Sequence, residues 1–467
     1  MNVRIRRLVP AFGLLLLAAC ATTQVEPPPP VSADARFKES GAWQRANAAV
    51  PVPDAWWTLF NEPVLDDLQR RLVIGNQNLQ SAVAAVASAR AVVDASRSAT
   101  QPTLSLGFGA TRSASPGGSS DTGARNPANS LSLSATAGWE ADLWGRLAQA
   151  SRGAQASLQA SADDLAAARL SAQALLAQTY FTLRTADAQA ELLGRSVQGY
   201  QRSLELTQVR YDGGVAARTD VLQAQTQLKS AQAQLADTRA QRAQLEHAIA
   251  VLLGVAPSSF ALGAVAVLPA APAVPPMLPA ALLERRPDIA AARRRVAAAY
   301  AQIGVADAAF FPDLTLSASA GYRGSNLARL VSAPNLLWSF GTSLAETVFD
   351  GGQRKLASAQ ARASADQATA AYRQSVLTAL QEVEDNLVLA DQLQQETQLQ
   401  GEALQAAQRN LEITLAQYRA GTVSYLNVVA AQTAALGSES SLLAVRNRQL
   451  AAVSQLLKNI AGRWEPV

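Results

Sequence analysis

Along most of this chain, apolar and small residues recur at helical spacing, and four times the pattern breaks into strict alternation. From Val64 to about Ala99 one helical face is marked by Leu65, Leu68, Leu72, Leu79, Val83 and Val86, and Pro102 closes the run. Leu104, Leu106, Phe108 and Ala110 then alternate with Ser105, Gly107 and Gly109, which predicts a strand over 102–113. A Gly/Ser-rich polar loop follows. Next, Leu131, Leu133, Ala135, Ala137 and Trp139 face one way, and Ser132, Ser134, Thr136, Gly138 and Glu140 the other, predicting a strand over 130–142. Helical spacing resumes from about Leu147 to Val209. At ~1.5 Å per residue, some 60 residues reach on the order of 90 Å. Gly213-Gly214 interrupts the pattern, and a further helix runs from about Thr219 to Leu253.

The second half replays this order. A helix over about 280–309 leads to strands over 312–323 and 338–349, a long helix from about Arg354 to Tyr418, a break at Gly421 and a last helix from about Leu426 to Ile460. The repeat is also literal. Tyr211-Asp-Gly-Gly-Val, running on to Asp220-Val-Leu-Gln-Ala-Gln-Thr226, is answered about 207 residues later. The answering stretch is Tyr418-Arg-Ala-Gly-Thr, running on to Asn427-Val-Val-Ala-Ala-Gln-Thr433. Gln101-Pro-Thr-Leu-Ser-Leu106 is likewise answered by Phe311-Pro-Asp-Leu-Thr-Leu316. The expected organisation is a segment 20–63, a first repeat 64–256, a Pro/Ala-rich linker 257–279, a second repeat 280–460 and a tail 461–467.

Four strands are the decisive count. A lipid-spanning strand needs ~9–11 residues, and all four have that length. An open sheet cannot sit in a bilayer with its edge amides unsatisfied, and transmembrane barrels start at eight strands. Other chains must therefore complete the barrel, a dimer giving eight strands and a trimer twelve. Small polar residues on one strand face fit either a tight sandwich core or a water-filled lumen. Strand length favours the lumen, with Leu, Phe, Trp and Tyr toward lipid. Trp338, Phe340 and Tyr322 are expected near strand ends, where aromatic rings anchor at the interface.

The N-terminus reads as a targeting segment over 1–19. Arg4, Arg6 and Arg7 precede a short apolar run, Phe12 to Leu17, too short to span a membrane. It ends in Leu17-Ala-Ala-Cys20, the chain's only cysteine, so no disulfide can form within the chain. The position resembles a bacterial lipobox, which implies diacylglycerol on the Cys20 thiol and an N-acyl group after cleavage. No aspartate follows, which in lipoproteins favours the outer membrane. Pro27 to Pro30 form an extended tether. Losing the three signal arginines takes the net charge from +4 to about +1, so nucleic-acid binding loses its electrostatic basis.

Apolar residues make up 49% of the chain against 16% charged, the excess being alanine, which suits close-packed extended helices. His247 is the only histidine and reads as a solvated or packed helix residue. No HExxH, CxxC or phosphate-cradling glycine loop occurs, so neither a metal site nor an enzymatic constellation is expected. Asp163-Asp164 and Glu382, Glu384 and Asp385 read as solvated faces or lumen lining, and Arg293 to Arg295 as helix surface.

Leu283-Glu-Arg-Arg-Pro-Asp-Ile289, followed by an Ala-rich helix and Phe310-Phe-Pro-Asp-Leu-Thr-Leu316, resembles the outer membrane efflux protein family. This is the TolC-like group, and the lipidated start resembles its NodT-type branch. Trp144-Gly-Arg146 and Phe349-Asp-Gly-Gly-Gln-Arg354 resemble that family's strand-to-helix junctions. The resemblance covers essentially the whole mature chain. It implies a homotrimer with a twelve-stranded β-barrel in the outer membrane of a Gram-negative bacterium, continuous with a periplasmic α-helical barrel. It also implies a periplasmic adaptor and an inner-membrane pump, of proton-driven type, docked at the helical tip. The turns at Gly213, Gly214 and Gly421 then become hairpin tips that meet the adaptor. Thr219, Asp220 and Tyr418 match gate positions; Asn427 and Ala430 stand where the family carries aspartates, and Val423 where it carries an arginine. These departures imply a weaker gate, held by Tyr418–Asp220 hydrogen bonding and by packing of Val428 and Val429. The implied function is the outer-membrane channel of a tripartite efflux system for drugs or other small molecules. A periplasmic adaptor or scaffold lipoprotein and a duct for type I protein secretion are the alternatives.

Overall fold

The computed structural model describes residues 38, 54–114, 127–272 and 286–460. Cys20, the lipid attachment expected on it and the tail 461–467 lie outside them. The described residues fall into two compact units, one of 85–114, 127–161 and 291–372, the other of 54–84, 162–272, 286–290 and 373–460. Helices are α1 Pro63–Gly75, α2 Gln77–Ser98, α3 Arg146–Asp212, α4 Arg218–Leu252, α5 Pro287–Ala308, α6 Gln353–Ala420 and α7 Tyr425–Ile460. The strands are β1 Thr103–Ser113, β2 Ala128–Ala141, β3 Asp313–Gly324 and β4 Leu336–Ala345.

In the first unit the four strands form one antiparallel sheet in the order β1-β2-β3-β4. The register keeps every alternating set on one face. Leu106 pairs with Ala135, Ala135 with Ala320 and Ala320 with Trp338; one step along, Gly107 pairs with Ser134 and Ser134 with Gly321. One face is therefore a mainly apolar band, interrupted by Thr342, and the other is dominated by hydroxyls and glycines, with Glu140, Arg323 and Leu337 among them. β4 lies earlier than 338–349. The residues after Ala345 are withdrawn from pairing because they build the start of α6. There the Asp350 carboxylate accepts from the Gly352 and Arg354 amides at 2.9 and 3.1 Å, while the Arg354 guanidinium takes the Thr347 carbonyl. Phe340 consequently sits mid-strand rather than at an end. Trp338 and Tyr322 stay near the hairpin end of the band, and Trp139 lies near the opposite end.

Both junctions use the same device. Asp142 accepts from the Leu147 and Ala148 amides at 3.1 and 2.8 Å, satisfying donors that the first turn of α3 leaves unpaired. Arg146 is bidentate to Glu140, its Nη2 lying 2.6 Å from Oε1 and 2.7 Å from Oε2, which clips the strand end to the helix start. Trp144 stacks on Phe311 at 4.9 Å and donates to the Pro312 carbonyl at 2.7 Å, tying the first repeat's junction to the second repeat's β3.

In the second unit the core gathers Trp56, Phe60, Leu65, Leu68 and Leu72 against Leu176, Tyr180 and Phe181 of α3 and Ile249 of α4. Val383 and Leu387 of α6 and Leu450, Val453, Leu456, Leu457 and Ile460 of α7 complete it. Each fully buried leucine here contributes about 1.5–3 kcal/mol. By length and composition α7 is apolar enough to cross a membrane, and one third of its apolar stretch is buried; Leu450, Val453, Leu456, Leu457 and Ile460 near its C-terminal end pack into this core. Buried positions along α4 fall at Val221, Ala224, Leu228, Ala231 and Thr238, and along α7 at Val428, Ala431, Ala435, Leu442 and Val445. That alternation of threes and fours is the narrow seam of a coiled coil, and its small residues let neighbouring helices approach closely.

The linker is pinned by buried charge. The Asp187 carboxylate accepts from Arg184 Nη1 at 3.0 Å, Arg242 Nε at 2.8 Å and the Val265 amide at 3.1 Å. Arg184 also donates to the Gly263 carbonyl at 2.7 Å and lies over the Tyr180 ring. Nothing in the periodicity of α3 distinguishes Asp187 from a solvated helix acid. Glu382, read from sequence as a solvated face or lumen lining, instead pairs with Arg286 at 2.8 Å, and Arg286 also grips Asp288 at 2.6 Å. Burial opposes the Asp288 charge, but the hydrogen bond and charge of Arg286 win and hold its carboxyl below the usual range.

Candidate functional site: the strand sheet and the hairpin tips

Two regions carry the functional geometry. The first is the sheet. Its apolar band faces outward without cover, with Leu106 79% and Trp338 76% exposed. Eight residue steps from Leu314 to Tyr322, at ~3.4 Å each, give a band about 27 Å long along the strand. Tilted by about 35–45°, it spans about 20 Å of the ~25 Å apolar belt of an outer-membrane barrel. On the other face Ser105, Ser132, Ser134, Thr136, Thr315, Ser317, Ser319, Ser339 and Ser343 present hydroxyls, one pair of which, Ser319 and Ser339, lies 2.8 Å apart. Among the described residues, β1 and β4 each have a strand partner on one side only. A sheet with lipid-type residues on one face, water-type residues on the other and two open edges is a segment of a membrane barrel.

The second region is the pair of hairpin tips. α3 ends with Gly214 at φ +74°, the Val215 amide reaching back to the Arg210 carbonyl at 2.9 Å and the Gly214 amide to Tyr211 at 2.9 Å. α6 ends the same way, with Gly421 at φ +77°, Thr422 bonding to Gln417 at 3.0 Å and Gly421 to Tyr418 at 3.0 Å. Both are Schellman closures, in which the left-handed residue is almost always glycine. Gly213, by contrast, does not adopt a positive φ and is matched in the second repeat by Ala420.

The sequence-expected gate residues separate into two groups. Tyr418 is buried with Ala224, Tyr425 and Val428 in a cluster on which Val423 and Val429 pack. Asn427 and Ala430 lie on the exposed side of α7, and Thr219 and Asp220 in the first turn of α4. The Tyr418–Asp220 hydrogen bond expected from the resemblance is not the one formed. The Tyr418 hydroxyl lies 3.3 Å from Thr207 Oγ1, and Thr207 spends its own proton on the Ser203 carbonyl at 2.8 Å, so Tyr418 is the donor. Asp220 instead occupies the third position of α4, where an anion complements the exposed amides of a helix start that has no side-chain cap. Tyr425 stands at T-shaped distance from Tyr418, 5.5 Å between centroids, and burial first, then the nearby Tyr418, pushes its hydroxyl up to about 12.

Sequence reasoning missed Arg210 and Thr207. The signal was available: aligning Tyr211 with Tyr418 sets Arg210 opposite Gln417, and the two repeats differ there. Their tyrosines differ too, Tyr211 being 37% exposed and Tyr418 3%.

Barrel strands joined in one chain to coiled-coil hairpins define a class of protein, the outer-membrane export channel. The chain belongs to the outer membrane efflux protein family, which matches it twice, over residues 68–255 and 278–462. It is 30% identical over 459 residues to the probable efflux pump outer membrane protein SepC of Pseudomonas putida, covering 97% of this chain and 95% of that one. It is also 30% identical to the solvent efflux pump outer membrane protein SrpC of Pseudomonas putida, covering 98% of both. Among solved structures, the outer-membrane channel OprN superposes with a TM-score of 0.87 at 28% identity, covering 94% of this chain and 99% of that one. The protein is thus the outer-membrane component of an efflux system. It resides in the outer membrane and extends into the periplasm.

Proposed function

We propose that three copies of this chain close into one twelve-stranded barrel and conduct drugs or organic solvents across the outer membrane. In this reading a periplasmic adaptor docks at the hairpin tips around Gly213, Gly214 and Gly421, and a proton-driven inner-membrane pump supplies the cargo. The observation that carries it is the open, two-faced sheet. Four strands of spanning length leave two edges whose backbone groups would each cost several kcal/mol in lipid, and pairing β4 of one copy with β1 of the next removes that cost. SrpC is named for solvent efflux, which supports an apolar cargo class. Acylation of Cys20 by diacylglycerol and an N-acyl group would anchor each copy beside the barrel. The chain's task is conduction, with the pump rather than the channel selecting the cargo, and no catalytic role is assigned to it.

The test is complementation. The gene, expressed with its adaptor and pump in a host lacking its own outer-membrane efflux channels, should restore resistance to toluene and to hydrophobic antibiotics. Surface-localised protein that leaves the host as sensitive as the empty strain would refute the reading. A Cys20→Ser variant should lose label from radioactive palmitate while still reaching the outer membrane.

A further inference from the structure

We infer that Arg210 is the latch of the hairpin tips, a positioning residue of the first hairpin that grips the last turn of α6 in the second. It rests on the channel reading above. The basic residue of the turn after Tyr418, Arg419, is exposed, and position 423 is a valine packed into the apolar cluster. The guanidinium that grips this turn comes from 208 residues earlier in the chain. Arg210 Nη1 donates to the Tyr418 carbonyl at 2.8 Å, and Arg210 Cζ lies 4.8 Å from the centroid of the Tyr418 ring. A single side chain thus holds both the backbone and the ring of one residue.

The surroundings fit this grip. Gly421 lies under the guanidinium, so that a side chain there would begin 3.7 Å from Arg210 Nη2. Thr207, one turn before Arg210 on α3, takes the Tyr418 hydroxyl. The last turn of α3 therefore holds the last turn of α6 at three points: carbonyl, ring face and hydroxyl. The carbonyl of Arg210 itself closes the first tip through the Val215 and Ala216 amides, so pulling Arg210 away also disturbs the turn that ends its own helix. The grip is incomplete in one respect. Arg210 Nε is buried without a hydrogen-bond partner among the described residues, and leaving a buried donor unpaired costs free energy. A latch built this way holds the tips in register yet releases when a partner offers a better acceptor, and binding can shift an equilibrium only through such differential interactions.

The experiment uses full-length channel in planar bilayers, with unheated gels confirming assembly. Arg210→Gln should raise the resting open fraction about tenfold, the scale of losing charge-assisted bonding at each tip. Arg210→Lys, which keeps a charged donor but not the planar stack, should fall between Gln and the native residue. Tyr418→Phe keeps the ring and carbonyl, so Arg210→Gln should still open the channel in that background. Tyr418→Leu removes the ring, so the added effect of Arg210→Gln should shrink. Assembled Arg210→Gln channels with native resting conductance would overturn the latch. If Arg210→Gln does not assemble, native conductance in Arg210→Lys would overturn it instead. Loss of resistance in the native strain's complementation would count against the channel reading, whereas native leak in an export-competent variant counts against the latch alone.

Discussion

Asp187→Ala should release the linker from the first hairpin without unfolding the hairpin. The Arg184 and Asp187 side chains are only 4% and 1% exposed, and the substitution leaves the Arg184 charge without its carboxylate and the Val265 amide without its acceptor. Removing one member of a buried pair costs about 3–5 kcal/mol. Part of that is offset here. Arg184 keeps the Gly263 carbonyl and the Tyr180 ring, and Arg242 keeps Glu246 at 2.8 Å. The lower end, about 3 kcal/mol, is therefore expected, and at ~1.4 kcal/mol per tenfold it becomes roughly a hundredfold easier opening. Hydrogen–deuterium exchange of purified channel, read on peptides covering 261–268, would report it as faster exchange at Leu262 and Val265. Peptides from the hairpin seam near Ala224 and Ala231 serve as the internal reference. Native protection in the linker of the variant would refute the reasoning, and so would equal acceleration throughout the hairpin, which would mean that the network holds more than the linker. Asp187→Asn, still offering one acceptor, should show a smaller effect.

Gly75→Ala should be severely destabilising, since its Cβ would lie 2.1 Å from the Leu253 carbonyl oxygen; outer-membrane abundance should collapse, and native levels would argue against so close a crossing. Tyr418→Phe should raise leak conductance several-fold less than Arg210→Gln, because a neutral hydrogen bond contributes about 1 kcal/mol against about 1.5–3 for a charged one. Asp350→Asn should weaken the start of α6, seen as faster exchange at the Gly352 and Arg354 amides. The same end should respond to acid. Its hydrogen bond from Arg354, with the Arg354 and Gly352 amides, lowers the Asp350 carboxyl from 3.8 to about 2. A value below that of the unfolded chain stabilises the fold above pH 4, a contribution lost as pH falls toward 2, so protection there, corrected for the intrinsic pH dependence of amide exchange, should be flat from pH 7 to 4 and fall below.

The membrane half of this molecule is legible residue by residue because period-2 alternation has one meaning when one face must meet lipid. Leu131 to Trp139 and Leu314 to Tyr322 lie on the face their spacing assigns. The end of β4 was less legible, since Val348 and Phe349 look like continuing strand until Asp350 and Arg354 are seen to claim the backbone for α6. Burial of charge was not legible at all. Asp187 sits on a long helix whose pattern resembles a solvated face, and what covers it is a linker distant in sequence; Glu382, still partly exposed, is claimed by Arg286 at a helix start just as distant. The tips show the same limit. Tyr418 could be singled out by motif, but its partners Thr207 and Arg210 stand in the other repeat, and only packing chooses them over Asp220.

The central claim is that this chain is one third of a barrel. Native mass spectrometry of the channel, extracted from outer membranes in mild detergent and released from its micelle, tests it most directly. The account predicts a single dominant species of three chains, each near 49 kDa before processing and acylation. A monomer or dimer that still conducts ions in a planar bilayer would contradict it.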